Sequence, residues 1–322
     1  MTDTTDSKHT GFSLGSSPHI FSHTDMKETM RGTAIAFLPV IGASIYFFRL
    51  HAAVLITTCI ITCIFTEALC QLARRRPVTV DDWSAVVTGC SLALILPPTL
   101  PLSAAIIGSV FAIVVGKQIF GGLGHNIFNP SLLARAFLMA NYPRWLTTWV
   151  EPLKPDAVSS ATPLALAKFQ HEFAALKDLF FGNVSGSLGE TSAFCVLLGG
   201  IYLFYKKYGD WRIPGSILST VFVYSGILWV INPACPSPIF HLLAGGLMYG
   251  AVFQASDPVT SPVSAKGKII FGIGIGLILV TIRIWGGLTE GVMYAILFMN
   301  ALTPLIDRIT IPRRFGARQS PT

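Results

Sequence analysis

The chain has 322 residues, of which 52% are hydrophobic and only 12% charged, against roughly 25% charged in soluble domains. Its apolar residues fall in long runs rather than in the amphipathic periodicity of a soluble fold. That pattern reads as a polytopic membrane protein, each span needing ~20 apolar residues to cross ~30 Å of hydrocarbon. The net charge of +7 forms no basic patch interleaved with aromatics, so nucleic acid is not an expected partner.

Residues 1–31 are polar and mixed in charge, with no apolar stretch before a small-residue cleavage site. A cytoplasmic N-terminal segment is expected, with the first span serving as the insertion signal. Apolar runs follow at roughly 32–48, 52–72, 83–97, 102–120, 127–142, 190–205, 213–231, 239–255, 269–284 and 288–305. They predict an all-α integral membrane protein of about ten transmembrane helices, with both termini on one side.

With the termini inside, sixteen Lys and Arg residues fall on the cytoplasmic face and six outside, Arg135 lying within a span. Positive charge marks the cytoplasmic side. This orientation makes 32–305 a single bundle with halves at about 32–142 and 190–305. It places the loop 143–189 on the extracytoplasmic face and 306–322 in a cytoplasmic tail.

Several runs are broken by Pro or Gly: Leu96-Pro97-Pro98, Gly121-Gly122-Leu123-Gly124, Asn129-Pro130 and Asp257-Pro258. Irregular backbone at membrane depth survives only where protein or a cavity satisfies it. The third span of each half ends in a proline turn, and Gly-Gly-Leu followed by Asn and Pro recurs after Lys117 and after Arg283. Two inverted five-helix repeats with broken helices are therefore expected, with a site at the repeat interface.

In the loop, Pro163 to Phe181 reads as one amphipathic helix with Thr162 as N-cap and Pro163 at the first position, a favourable start. Locally, Thr162 is an ordinary cap. The same helix end also suits a phosphate ester on its hydroxyl, and Ser159, Ser160 and Ala161 leave room around it.

Asp156-Ala-Val-Ser159-Ser160-Ala161-Thr162 resembles the flavinylation motif D-x-x-[ST]-G-A-T, with Ser160 at the usual glycine position. Ser17-Pro18-His19-Ile20, Gly124-His-Asn126-Ile-Phe-Asn129-Pro130 through Arg135-Ala-Phe137, Ala255-Ser-Asp257-Pro258-Val-Thr260-Ser-Pro262, and Met299-Asn300-Ala-Leu-Thr-Pro304-Leu-Ile-Asp307-Arg308 resemble the NqrB/RnfD family. Within it, the short N-terminus and Thr162-Pro163-Leu164 are similar to the D subunit of the Rnf complex.

The resemblance implies a redox subunit of an ion-translocating oxidoreductase in the bacterial inner membrane, with FMN held covalently at Thr162. Asp156, Ser159 and Ala161 would complete the motif, and riboflavin or a second FMN would bind non-covalently. Implied partners are an extracytoplasmic FMN subunit, iron–sulfur subunits, a flavin transferase, membrane lipid, and Na⁺ or H⁺. The B subunit of a sodium-translocating NADH:quinone reductase is the near alternative. A channel or secondary transporter without redox cofactor is the alternative of another class.

Charged groups in spans are costly and are functional candidates by default. Glu67 lies close enough to Arg74–Arg76 for a salt bridge, with ion coupling as the functional reading. Asp257 either caps a turn or binds the coupling ion transiently. Asp307 pairs with Arg308 or serves coupling. Arg135 is expected to meet the flavin phosphate or a buried carbonyl, and Asn126 and Asn129 to satisfy the broken backbone around Gly124 or line the cofactor site. The histidines and six cysteines share no ligand spacing, so no metal is expected. No nucleophile–base pair stands out, so the chemistry would belong to the flavin. Gly272, Gly274 and Gly276 lie inside an apolar run and predict close helix packing rather than a nucleotide loop.

Overall fold

In the computed structural model, residues 25–153, 161–232 and 235–310 are described. Asp156, Ser159 and the Ser17–Ile20 segment lie outside them. Among the described residues every regular element is helical.

Helices α1 (Met26–Ala36) and α2 (Leu38–Ala73) run on through Phe37, and α2 is broken at Arg49, whose φ is 53°. The break frees the Phe47 carbonyl, which accepts from the Leu153 N–H at 2.9 Å, so this group is not stranded. The stretch Met26–Ala73 is one of four helical stretches long and apolar enough to cross a membrane, with Arg212–Ile231, Ala265–Trp285 and Val292–Thr310. Ser84–Leu94, Leu102–Gln118 and Ala193–Tyr205 are apolar but shorter.

Helix α3 (Ser84–Leu94) stops before Pro97-Pro98. Its terminal carbonyls are not left open: Leu94 O accepts from Gly189 N at 2.6 Å and Leu96 O from Leu188 N at 3.1 Å. The buried Ser44 hydroxyl donates to Leu188 O at 2.7 Å. The end of the loop thus completes the broken end of α3, as buried irregular backbone requires. Helix α4 (Leu102–Ile113) ends in a π-helical turn at Val114–Gln118. The extra residue in such a turn redirects side chains, here burying Lys117 and Gln118. Helix α5 (Pro130–Asn141) starts at Asn129, whose Oδ1 accepts from Ser131 N at 3.1 Å and Leu132 N at 3.4 Å.

The connection that follows holds three short helices, α6 (Pro143–Leu146), α7 (Pro163–Phe169) and α8 (Leu176–Phe181). The single helix expected over 163–181 is therefore two. The chain turns at Gln170-His171, where His171 takes a φ of 57°, and Glu172 N returns to Leu166 O. Leu164, Ala167 and Leu179 form a small core with Phe240 and Ala244, which folds the amphipathic faces inward onto the bundle.

The remaining helices are α9 (Ala193–Tyr205), α10 (Arg212–Ile231), α11 (Pro238–Leu243), α12 (Leu247–Tyr249) with a π-helical turn at Gly250–Gln254, α13 (Ala265–Trp285) and α14 (Val292–Thr310). The glycine run of α13 packs in two directions, as expected. A Cβ at Gly276 would sit 2.8 Å from Thr220 Cβ of α10, and one at Gly274 would sit 2.5 Å from Met299 Cε of α14.

Candidate functional site: the Thr162 cavity and its ion pairs

Thr162 caps α7 as its local sequence predicts: Oγ1 accepts from the Ala165 N–H at 3.2 Å. The helix behind it is held from its other end. The Lys168 ammonium donates to Leu288 O at 2.9 Å, Ile282 O at 3.4 Å and Gly286 O, the carbonyls at and just beyond the end of α13. A cation suits a helix C-terminus, and partial burial pushes the Lys168 pKa down. Its side chain thus ties α7 to the bundle.

Two spaces lie at this helix start. Ala161 and Pro163 line an outer cleft of about 650 Å³. Thr162 and Pro163 also line an inner cavity of about 260 Å³, walled by Met139, Trp149, Leu243, Met293 and Tyr294, with Arg135, Glu190 and Glu290 supplying its charges. An apolar, aromatic-walled cavity with a few convergent polar groups is the usual form of a small-molecule site.

Arg135, in α5, is held by two carboxylates rather than by a backbone carbonyl. Its Nη1 donates to Glu190 Oε1 at 3.1 Å, and its Nη2 lies 3.7 Å from Glu290 Oε2. Burial of a guanidinium among apolar helices demands a counter-charge, and two connections supply it. Glu290 also accepts from the Gly246 N–H. Arg283 of α13 stands beside them, with Nη1 donating to His241 O at 2.6 Å and Nη2 to Ala244 O at 2.9 Å.

Glu67 is paired differently from expectation. Both its oxygens accept from Lys117 Nζ, at 2.7 and 2.8 Å, with both residues 1% exposed. Gln118 Nε2 adds a bond at 3.1 Å, and the Lys117 ammonium also donates to Ser84 Oγ. Glu67 lies far enough inside α2 to face the end of α4 rather than the Arg74–Arg76 cluster. Arg74 donates instead to Gln118 O, and Arg76 to Gly121 O at 3.3 Å.

The structure separates the other expected residues. Asn126 and Asp257 reach a smaller cavity of about 60 Å³, which Lys117 also lines, away from Thr162. Asn126 Oδ1 is buried there without a hydrogen-bond partner. Asn129 does not serve Gly124; it caps α5 and donates to Gln254 O at 3.3 Å, joining the two halves. Asp257 caps its own turn, accepting from Val259 N at 3.2 Å and Thr260 Oγ1 at 3.4 Å. Asp307 accepts from Val263 N at 3.0 Å, closing the 257–264 turn rather than pairing with Arg308. The cysteines are free, and among the described residues no metal-ligand cluster forms.

Glu190 and Glu290 enter the site, and Lys117, Arg283 and His241 line other cavities, without standing out in the sequence. A signal is present: each is a polar or charged residue inside or at the edge of an apolar run. Counting charges along the chain treats Lys117 and Arg283 as solvated topology markers, yet both are buried. Removing them leaves the charge asymmetry standing.

The profile of the NQR2, RnfD, RnfE family matches residues 13–316. The chain belongs to this family. It is 45% identical over 307 residues to the D subunit of the Na(+)-translocating ferredoxin:NAD(+) oxidoreductase complex of Acetobacterium woodii, covering 94% of this chain and 95% of that one. It is 42% identical over 325 residues to the D subunit of the proton-translocating ferredoxin:NAD(+) oxidoreductase complex of Clostridium ljungdahlii, covering 96% and 97%. The D subunit of the ion-translocating oxidoreductase complex of Stutzerimonas stutzeri is 39% identical over 330 residues, with 91% and 93% covered. The family resemblance read from the motifs therefore stands. The first two relatives are named for different cations at nearly equal identity, so overall similarity does not choose between Na⁺ and H⁺.

Proposed function

We propose that this chain is the flavin-carrying D subunit of an Rnf-type ion-translocating oxidoreductase, with FMN joined to Thr162 by a phosphoester. The observation that carries the reading is Thr162 itself: it lines an aromatic-walled cavity, and its neighbours Ala161 and Pro163 line an adjoining cleft. The cleft suits an approaching flavin transferase, and the cavity suits a planar ring. When bound, the flavin would supply one- and two-electron chemistry that no side chain offers.

This chain's own residues would do the rest. Thr162 anchors the group, and Lys168 holds α7 against α13. Trp149, Met293 and Tyr294 exclude water. Arg135, with Glu190 and Glu290, sets the electrostatic field at the cavity wall. Because α7 is only seven residues long, its dipole would add little, and Arg135 becomes the main positive charge near the ester.

Ten spans, two inverted five-helix repeats, cytoplasmic termini and an extracytoplasmic Thr162 loop complete the proposal. Supporting the repeat, α2 packs on α3 and α4, and α4 on α5; in the same order α10 packs on α11 and α13, and α13 on α14. Asp257 is proposed as the ion-coupling carboxylate, because it lines the smaller cavity. Glu67 and Asp307 would act through the charges and backbone they hold.

The test is ultraviolet fluorescence of the protein band after a denaturing gel, with the chain made alongside its native flavin transferase. Wild type should fluoresce and Thr162→Val should be dark. A dark wild-type band would overturn covalent attachment and favour a channel or transporter. Co-purification with a ferredoxin-like iron–sulfur subunit is expected of an Rnf complex; its absence, with quinone reductase subunits present, would favour the quinone-reducing relative.

A further inference from the structure

Beside α7 and apart from the Thr162 cavity lies a space of about 140 Å³, with Lys168, His241, Arg283 and Ile284 in its wall. Among the described residues no carboxylate lines it. His241 is 3% exposed and Arg283 is 4% exposed. Among the described residues, both imidazole nitrogens of His241 and the Nε of Arg283 are buried without hydrogen-bond partners. Such orphaned groups are costly, and native interiors leave few of them.

The surrounding interactions sharpen what is missing. Both terminal nitrogens of Arg283 and the ammonium of Lys168 are spent on backbone carbonyls. Glu290 lies on the other side of Arg283, the two flanking Gly245. What remains toward the cavity is an Arg Nε–H and an imidazole, with the cations of Lys168 and Arg283 in the wall and the carboxylate of Glu290 behind Arg283. The complementary group is an oxyanion that accepts from both.

The neighbourhood indicates where such an anion would come from. The adjoining ends of α10 and α13 carry exposed apolar side chains: Trp229, Val230, Ile231 and Trp285. Exposed tryptophans at the end of an apolar helix are the usual mark of the membrane–water interface. A headgroup entering between them would bring its acyl chains onto that face.

We propose that the cavity of His241, Arg283 and Lys168 binds a phosphate-class oxyanion, supplied by the headgroup of an anionic phospholipid. The bound headgroup would fix α7 from behind. The site stands whether or not Thr162 carries flavin.

The test uses the full-length chain, delipidated in neutral detergent and melted by tryptophan fluorescence. Phosphatidylglycerol should raise the melting temperature, since a ligand of the native state stabilises by mass action. Diacylglycerol with the same chains should not. His241→Leu should need about tenfold or more lipid for the same shift, the loss expected for one charge-assisted bond, and His241→Gln, which keeps a donor, should need less. Should His241→Leu not fold, His241→Phe, which fills the ring's space without a donor, takes its place: the phospholipid retained on it and on wild type, counted by native mass spectrometry, decides, and equal retention overturns the site. An equal shift from inorganic phosphate, lost in His241→Leu, would keep the oxyanion and overturn the lipid as its source. A response to diacylglycerol equal to that for phosphatidylglycerol, or a His241→Leu response equal to wild type, overturns the proposal.

Discussion

The Glu67–Lys117 pair and the Arg135–Glu190–Glu290 group both place full charges among apolar helices, and they are finished differently. In the first, an ammonium is closed over by both oxygens of one carboxylate and a serine, with an amide on the carboxylate, and the two charged residues are 1% exposed. In the second, one guanidinium is shared by two carboxylates, at 3.1 and 3.7 Å, and the Glu290 side chain keeps 20% of its surface open. That group also faces a cavity of about 260 Å³, against about 60 Å³ beside Lys117. A closed pair fixes α2 against the end of α4; an open one leaves charge available to whatever enters. The contrast sets a pair closed on all sides against a group that borders open space.

The largest effect should come from breaking the closed pair. Lys117→Met leaves Glu67 buried without a counter-charge and should cost about 3–5 kcal/mol, seen as a collapse of melting temperature or of membrane-extracted yield. Adding Glu67→Gln to it should recover most of the loss. Arg135→Met should cost less, about 1–3 kcal/mol, because the Glu290 side chain keeps 20% of its surface open. A larger loss from Arg135→Met than from Lys117→Met would reverse the contrast.

Gly246→Ala probes how tightly the open group is built. The backbone there has a φ of −77°, which any residue adopts, so the cost is one of space. The new Cβ would lie 2.5 Å from Glu190 Oε1 and 2.9 Å from Glu290 Oε1. Overpacking should cost about 1–3 kcal/mol, measured as a shift in thermal midpoint. No shift would mean that the two carboxylates are free to separate.

What was legible in the sequence was local. The Thr162 cap, the proline break after Leu94 and the close packing of the Gly272–Gly276 run follow from neighbours a few positions apart, and the structure keeps them. The partners of Glu67 and Arg135 lie 50 and 55 positions away, in elements that meet only after helices pack. Proximity along the chain pointed instead to Arg74–Arg76 for Glu67 and to Arg308 for Asp307, all at helix ends where water competes. The single helix expected over 163–181 failed for a related reason. Its apolar stripe is satisfied in two pieces against Phe240 and Ala244, and periodicity does not report a turn inserted between them.

The smallest expected effect lies where neither kind of burial applies. Asp210, in the connection between α9 and α10, accepts from Lys268 Nζ at 2.8 Å, Arg212 Nη1 at 3.2 Å and Arg212 N at 3.0 Å. Its partial burial would by itself raise the carboxyl pKa, but Lys268 and Arg212 outweigh it and hold it below its ordinary value. A depressed folded-state pKa gives stability that is present above the unfolded value of roughly 3.9 and is lost as pH falls through the folded one. Asp210→Asn should therefore cost about 0.5–1 kcal/mol at neutral pH. The gap between wild type and variant should close on acidification below about pH 4, and shrink in high salt, which screens partly exposed charges. Melting curves across about pH 3 to 7 in about 0.05 and 1 M salt would read both trends. A pH-independent gap would mean that Asp210 acts as a backbone cap for α10 rather than as a charge.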